Sequence, residues 1–212
     1  MGVLSAEQKA QFAEQGYLLV SGLIPPEVVA EARAKLEQEY REGGKAFFGT
    51  EAANICYNET LCAAAAELGG EADVRPYYPI HSALAILSLP GSEEWDWPPP
   101  HIDHAIKEHG HHTFPRPFRL ASLLYLNDIA PRGGGTVVWP GSHRRIEQLA
   151  QSDPQRYAQM HTLNQELAHT DLGEPVEVTT KAGDILFYHY LCAHSGSRNT
   201  TSQPRLALNH KW

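Results

Sequence analysis

His101 and Asp103 stand two residues apart in Pro100-His101-Ile102-Asp103-His104, with His194 far downstream and Arg205 eleven residues beyond it. On an extended segment side chains repeat their direction every second residue, so a His-x-Asp pair sends an imidazole and a carboxylate to one face. One more distant imidazole would complete a set of two neutral nitrogens and one carboxylate on one side of a divalent ion. That is the ligand set of non-heme Fe(II) oxygenases. Its use lies in the open coordination positions, which can hold a chelating cosubstrate and dioxygen together. An arginine nearby would add a rigid, two-pronged donor matched to a carboxylate.

Each of these residues also has a plainer role open to it. The chain has twelve histidines, and a His-x-Asp pair taken alone is common. His189 competes for the third ligand position. It sits inside the alternating run Asp184-Ile185-Leu186-Phe187-Tyr188-His189-Tyr190, where packing or hydrogen bonding is the usual fate, whereas His194 follows at a turn rich in Gly and Ser. A ligand at such a turn can reach across a barrel mouth. Arg205 could instead be a solvated strand arginine in a weak surface ion pair. His104, His109, His111 and His112 form a local histidine-rich stretch, but their spacing matches no standard second metal site. The Gly133-Gly134-Gly135 run reads as a turn between strands, because no helix with a Lys-Ser/Thr signature follows it to cradle phosphate.

The elements that must position these residues run helices first and strands afterwards. Ser5 with Gln8 reads as a capping box, and Pro26 suits the first turn of a second helix, where its missing N–H costs nothing. Val29, Leu36 and Tyr40 recur at near-helical spacing until Gly43-Gly44 stops that element. From Ile80 the pattern changes, with strand-like segments at 80–89, 118–127, 136–139, 175–179, 183–190 and 205–211, interrupted by one helical interlude at 154–168. Gly141-Ser142-His143 reads as a turn. The Trp95 and Trp97 rings, in the loop that leads into the metal motif, suit either an aromatic wall over a substrate or packing against a barrel rim. An all-β core with helical additions is the architecture these patterns support.

Composition narrows the function classes. A chain of 212 residues with 42% apolar residues can build one core, and no repeat or linker divides it, so residues 1–212 are expected to form a single domain. The longest apolar runs fall far short of the ~18 residues of a membrane span. No cationic flank and apolar signal core opens the chain, and Cys56, Cys62 and Cys192 lack zinc-ligand spacing, which predicts reduced thiols and a cytoplasmic protein. A formal net charge of −8 argues against nucleic acid as the main partner, since that binding relies on clustered Lys and Arg.

The His101/Asp103 motif after Pro98-Pro99-Pro100, the stretch from Gly133 to His143, the run His194-Ser195-Gly196-Ser197-Arg198-Asn199 and Gln203-Pro204-Arg205-Leu206-Ala207-Leu208 together resemble the phytanoyl-CoA dioxygenase family of iron- and 2-oxoglutarate-dependent oxygenases. The opening, with a helix through Phe12, a Gly16-Tyr17-Leu18-Leu19-Val20 strand and a helix begun at Pro25-Pro26-Glu27, resembles it too. The resemblance implies a double-stranded β-helix, a cupin-like jelly roll with N-terminal bracing helices and the metal in its open mouth. It implies His101, Asp103 and His194 as Fe(II) ligands and Arg205 as the fork for the far carboxylate of 2-oxoglutarate. One departure stands out. The family often has a serine two residues after the distal histidine, where this chain has Gly196, so the hydroxyl that would assist the cosubstrate is in question and Ser195 is its substitute.

The activity implied is oxygen activation driven by decarboxylation of 2-oxoglutarate to succinate and CO2, with hydroxylation of a small molecule as the default outcome. Related halogenases replace the ligand carboxylate with a small residue, and this chain keeps Asp103. Desaturation, ring formation and epimerisation use the same ligand set. Two other classes fit the scaffold. A cosubstrate-independent cupin-type metal enzyme would share the barrel and the His/Asp ligands without needing Arg205, and a catalytically silent binding protein would need none of the set intact. No residue pattern identifies a CoA pocket, and fold analogy cannot choose the substrate.

Overall fold

A computed structural model describes residues 2–42, 51–70 and 83–212. The first helix, α1 (Ala6–Gln15), begins at Ser5, whose side chain accepts from the Gln8 amide while the Gln8 side chain accepts from the Ser5 amide. This is the expected capping box. Gly16 ends α1 in the left-handed region, at φ 76°, and its carbonyl accepts from the His189 amide. Strand β1 (Tyr17–Val20) follows, then α2 (Pro26–Arg41), which has Pro26 in its first turn as the sequence predicts. Val29 and Leu36 are buried on α2, whereas Tyr40 is exposed, so the apolar periodicity runs past the face that packs. The expected stop at Gly43-Gly44 and the start of the next strand at Ile80 lie outside the described residues.

Two further helices, α3 (Glu51–Cys56) and α4 (Glu59–Gly69), precede the strands. Sequence periodicity does not single them out, because α3 is short and the run Ala63-Ala64-Ala65-Ala66 gives α4 little amphipathic contrast. The N-terminus of α4 is nevertheless marked by Asn58, whose side chain accepts from the Leu61 amide.

The strands then come in the predicted order: β2 (Leu84–Ser88), β3 (Leu120–Tyr125), β4 (Thr136–Val138), β5 (Val176–Val178), β6 (Ile185–His189) and β8 (Arg205–Lys211), with the short β7 (His194–Gly196) between the last two. They form an antiparallel five-stranded sheet, β1-β6-β3-β8-β2, and an antiparallel three-stranded sheet, β5-β4-β7. Helix α5 (Ser142–Ser152) replaces the expected turn at residues 141–143, and α6 (Met160–Glu166) shortens the expected interlude at 154–168. The start of α5 is hidden in the sequence because Gly141, at φ 75°, supplies no side-chain cap, yet Ile146 and Ala150 bury one face four residues apart. Gly134, at φ 76° in the expected Gly-rich turn, lies where a Cβ would come 2.5 Å from Ser88 Oγ.

Strand alternation sorts side chains into two cores. On the outer face of the five-stranded sheet, Leu18, Leu124, Ile185, Phe187, Leu206 and Leu208 pack against Phe12, Val29, Leu36 and Leu61 of the helices. On the inner face, Ala121, Leu123, Tyr125, Leu186, Tyr188 and Ala207 meet Val138 and Val178 of the smaller sheet. Burying side chains of this size stabilises by roughly 1.5–3 kcal/mol each, so both layers are needed to hold the barrel. On β8 the same period sends Arg205, Ala207, Asn209 and Lys211 inward and Leu206, Leu208 and His210 outward.

His210 and His189 make this fold acid-sensitive. Both face the helical side. Burial pushes the His210 imidazole down to about 4, and neither of its ring nitrogens has a hydrogen-bond partner among the described residues. Burial, with a smaller contribution from His143, pushes His189 down to about 3. In the unfolded chain both bind protons near the ordinary histidine value of about 6.5. Between that value and the folded ones the unfolded state holds more protons, so stability is full above about pH 6.5 and falls as pH drops toward 4. For His210 the loss between pH 7.5 and pH 5 is about 2 kcal/mol. His210→Phe should therefore flatten the pH dependence of the urea midpoint by about one histidine's share. Identical wild-type and variant slopes would show that His210 is not the origin.

Candidate active site

The His-x-Asp motif is held by backbone before any side chain acts. The His101 amide donates to the His194 carbonyl and the His194 amide to the His101 carbonyl, both at 3.0 Å. This isolated antiparallel bridge joins segments more than ninety residues apart and sets their imidazoles side by side, with ring centroids 4.5 Å apart. The Ile102 amide donates to Asn164 Oδ1 of α6 at 2.8 Å, and its side chain is buried in the inner core. His101 and Asp103 therefore share the opposite face, as their spacing predicts.

One nitrogen or oxygen from each of His101, Asp103 and His194 lies within 4.8 Å of the others, and this is the one three-residue His/Cys/Asp/Glu group able to hold a metal ion among the described residues. The His194 ring has an assigned direction. Its Nδ1 lies 2.9 Å from the Cys192 carbonyl, to which it must donate, and this leaves Nε2 unprotonated and free to bind a metal, 3.5 Å from Asp103 Oδ2. Burial pushes the His101 imidazole down to about 4, which keeps it neutral and ligand-competent near pH 7.

His189 is elsewhere. It lies on the outer face of β6, 5.3 Å from the His143 ring, and its Nδ1 accepts from the Leu191 amide. In the histidine-rich loop the His104 ring stands 4.6 Å from His111 and 4.8 Å from Phe118, and no second group able to hold a metal forms there among the described residues. Trp95 and Trp97 meet edge to face at 4.8 Å, and the Arg132 guanidinium lies 5.7 Å from the Trp95 ring centre, so Trp95 packs against the rim while Trp97 stays largely exposed.

Around Asp103 is a polar network that sequence reading did not name. Lys211, almost fully buried, forms an ion pair with Asp103 Oδ2, and Tyr188 donates to the same oxygen at 3.0 Å. Asn209 donates in turn to the Tyr188 hydroxyl at 2.9 Å. Burial opposes ionisation of Asp103, but the Lys211 ammonium beside it outweighs that and holds the carboxyl well below the usual carboxylate range. An ionised, oriented carboxylate is what a divalent cation needs. The signal was present: Asn209 and Lys211 follow Arg205 at the strand period of two. What it could not show is that this face of β8 points at the metal motif.

Arg205 is 5% exposed and borders a cavity of about 180 Å3 together with His101, Asp103, His194, Thr136 and Tyr188. Its Nε has no hydrogen-bond partner, and no acidic group pairs with its guanidinium among the described residues. A buried cation without a counterion is costly, and an anion entering this cavity would relieve that cost. Ser195 also borders the cavity, but it pairs with Val137 while His194 and Gly196 pair with Val138 and Thr136, so its side chain alternates to the opposite face of β7.

A family model for phytanoyl-CoA dioxygenase (PhyH) matches residues 12–207. The chain belongs to the phytanoyl-CoA dioxygenase family. Solved structures agree on the fold of this PhyH-family chain. The non-heme alpha ketoglutarate dependent carbocyclase SnoK from nogalamycin biosynthesis superposes with a TM-score of 0.70 at 21% identity, covering 100% of this chain and 85% of SnoK. The epimerase SnoN, in complex with Fe3+, alpha ketoglutarate and nogalamycin RO, gives 0.70 at 19% identity over 97% of this chain and 81% of its own. EctD from S. alaskensis with 2-oxoglutarate and 5-hydroxyectoine gives 0.69 at 22% identity over 99% and 76%. No curated protein matches by sequence. The two-sheet barrel with bracing helices is thus the expected double-stranded β-helix. Among the described residues, no helix is long and apolar enough to cross a membrane.

Proposed function

We propose that this protein is a non-heme iron, 2-oxoglutarate-dependent dioxygenase, an oxidoreductase that hydroxylates a C–H bond of a small molecule with release of succinate and CO2. His101, Asp103 and His194 hold Fe(II), and Arg205 receives the far carboxylate of 2-oxoglutarate. The bound iron and cosubstrate supply the oxidising power, drawn from dioxygen and from decarboxylation of the 2-oxo acid. The chain's own contribution is placement: a neutral His101, a His194 ring oriented by the Cys192 carbonyl, and an Asp103 carboxylate kept ionised by Lys211 and held by Tyr188. The whole chain, residues 1–212, would work as one catalytic domain in the cytoplasm, with dioxygen and a small metabolite as partners and no nucleic acid or membrane.

The observation that carries this reading is Arg205, a buried guanidinium with no acidic partner among the described residues, in the cavity that the ligand triad also lines. A cosubstrate-independent metal enzyme or a silent binding protein gives that cation no task. The carboxylate at Asp103 favours hydroxylation over halogenation. SnoK is a carbocyclase and SnoN an epimerase, so the fold also serves other oxidative outcomes. Anaerobic addition of Fe(II) and then 2-oxoglutarate, followed by visible spectroscopy, tests the proposal. A weak charge-transfer band that needs both additions supports it. Metal uptake with no response to 2-oxoglutarate would shift the assignment to a cosubstrate-independent cupin enzyme.

A further inference from the structure

The β4/β7 pairing has a consequence for the cosubstrate pocket. Thr136 lies directly across from Gly196 in this antiparallel register, and residues directly opposite one another project from the same face. That face also carries His194, two residues before Gly196. A Cβ placed on Gly196 would lie 3.5 Å from Arg205 Nη2, in ordinary contact with the guanidinium. A serine at that position would therefore set its hydroxyl beside Arg205. This chain has no side chain there. Thr136 borders the same cavity, is 2% exposed, and brings a hydroxyl from the facing strand.

The hydrogen bonds around Thr136 give that hydroxyl a direction. The Tyr125 hydroxyl donates to Thr136 Oγ1 at 2.7 Å, and both residues are buried. Thr136 Oγ1 is thereby used as an acceptor, and no group among the described residues accepts its proton. A buried hydroxyl with an unspent donor costs free energy until an acceptor arrives. Arg205, in the same cavity, has an unspent Nε donor. Two unspent donors lining one cavity suit one anion with several lone pairs, and a carboxylate has about four acceptor sites.

Resting on the function proposed above, we propose that Thr136, oriented by Tyr125, supplies the hydroxyl donor to the far carboxylate of 2-oxoglutarate beside Arg205, in place of a serine at position 196. The donor has moved across a strand pair instead of along the chain. Ser195, on the other face of β7, does not take this part.

The test is anaerobic titration of 2-oxoglutarate into Fe(II)-loaded protein, read by the visible charge-transfer band, with Fe(II) affinity measured separately. Thr136→Val keeps the shape and removes the hydroxyl, and should weaken 2-oxoglutarate binding roughly 10- to 30-fold, the scale of a lost hydrogen bond to a charged group, with iron affinity unchanged. Thr136→Ser keeps the hydroxyl and should stay within about threefold of wild type. Gly196→Ser added to Thr136→Val should recover most of the loss. Wild-type affinity in Thr136→Val would overturn the inference and leave the proposed function standing. Equal weakening in Thr136→Ser and Thr136→Val would overturn it too, since packing would then be the cause, and a double variant no better than Thr136→Val would overturn the shared position. Wild-type protein that binds Fe(II) and ignores 2-oxoglutarate would overturn the proposed function, and this inference with it.

Discussion

His194→Ala and His101→Ala should each lose nearly all metal binding and all turnover, whereas His189→Ala should keep both. Removing an outer partner of a metal ligand typically costs 10- to 100-fold in affinity, so removing a ligand from a three-residue set should cost on the order of 100-fold or more. The structural basis is the spacing of the groups: His101, Asp103 and His194 converge within 4.8 Å, and His189 faces His143 across the other side of the sheet. Backbone hydrogen bonds between residues 101 and 194 do not depend on either imidazole, so both alanine variants should fold and give native circular dichroism. Fe(II) uptake measured by chelator competition decides the matter. Full iron occupancy in His194→Ala, with loss in His189→Ala, would reverse the ligand assignment.

Arg205→Ala should leave iron binding nearly intact and weaken 2-oxoglutarate by about 2–3 kcal/mol, or roughly 30- to 150-fold, because a charge-assisted bidentate contact shielded from water is lost. Arg205→Lys should recover only part, since an ammonium cannot reproduce the planar fork. The burial of Arg205 adds a second expectation. With its guanidinium 5% exposed and unpaired by any described acidic group, the residue costs stability in the absence of an anion, so Arg205→Ala should melt no lower than wild type without cosubstrate. Cosubstrate should then raise the melting temperature of wild type and leave that of Arg205→Ala nearly unchanged. Equal 2-oxoglutarate affinities in the wild type, Arg205→Ala and Arg205→Lys would remove the clamp and leave a cosubstrate-independent metal enzyme as the better reading.

The sequence by itself determined the local halves of this site. Period-two alternation puts His101 and Asp103 on one face, the capping box starts α1, and short apolar runs bounded by Gly, Pro and Asn locate six of the strands. These features rest on interactions between residues a few positions apart, so their signals are contiguous in the chain. Helix α5 escaped because Gly141 offers no side-chain cap and the Gly-Ser-His stretch reads as a turn. Only the tertiary structure decided which distant residues meet. Lys211 reaches Asp103 across 108 positions, and Thr136 stands opposite Gly196 across 60, because antiparallel register in two sheets brings them together. A sequence records which face of its own strand a residue takes. Which face of another strand lies opposite is fixed by the long-range pairing and packing of the folded barrel.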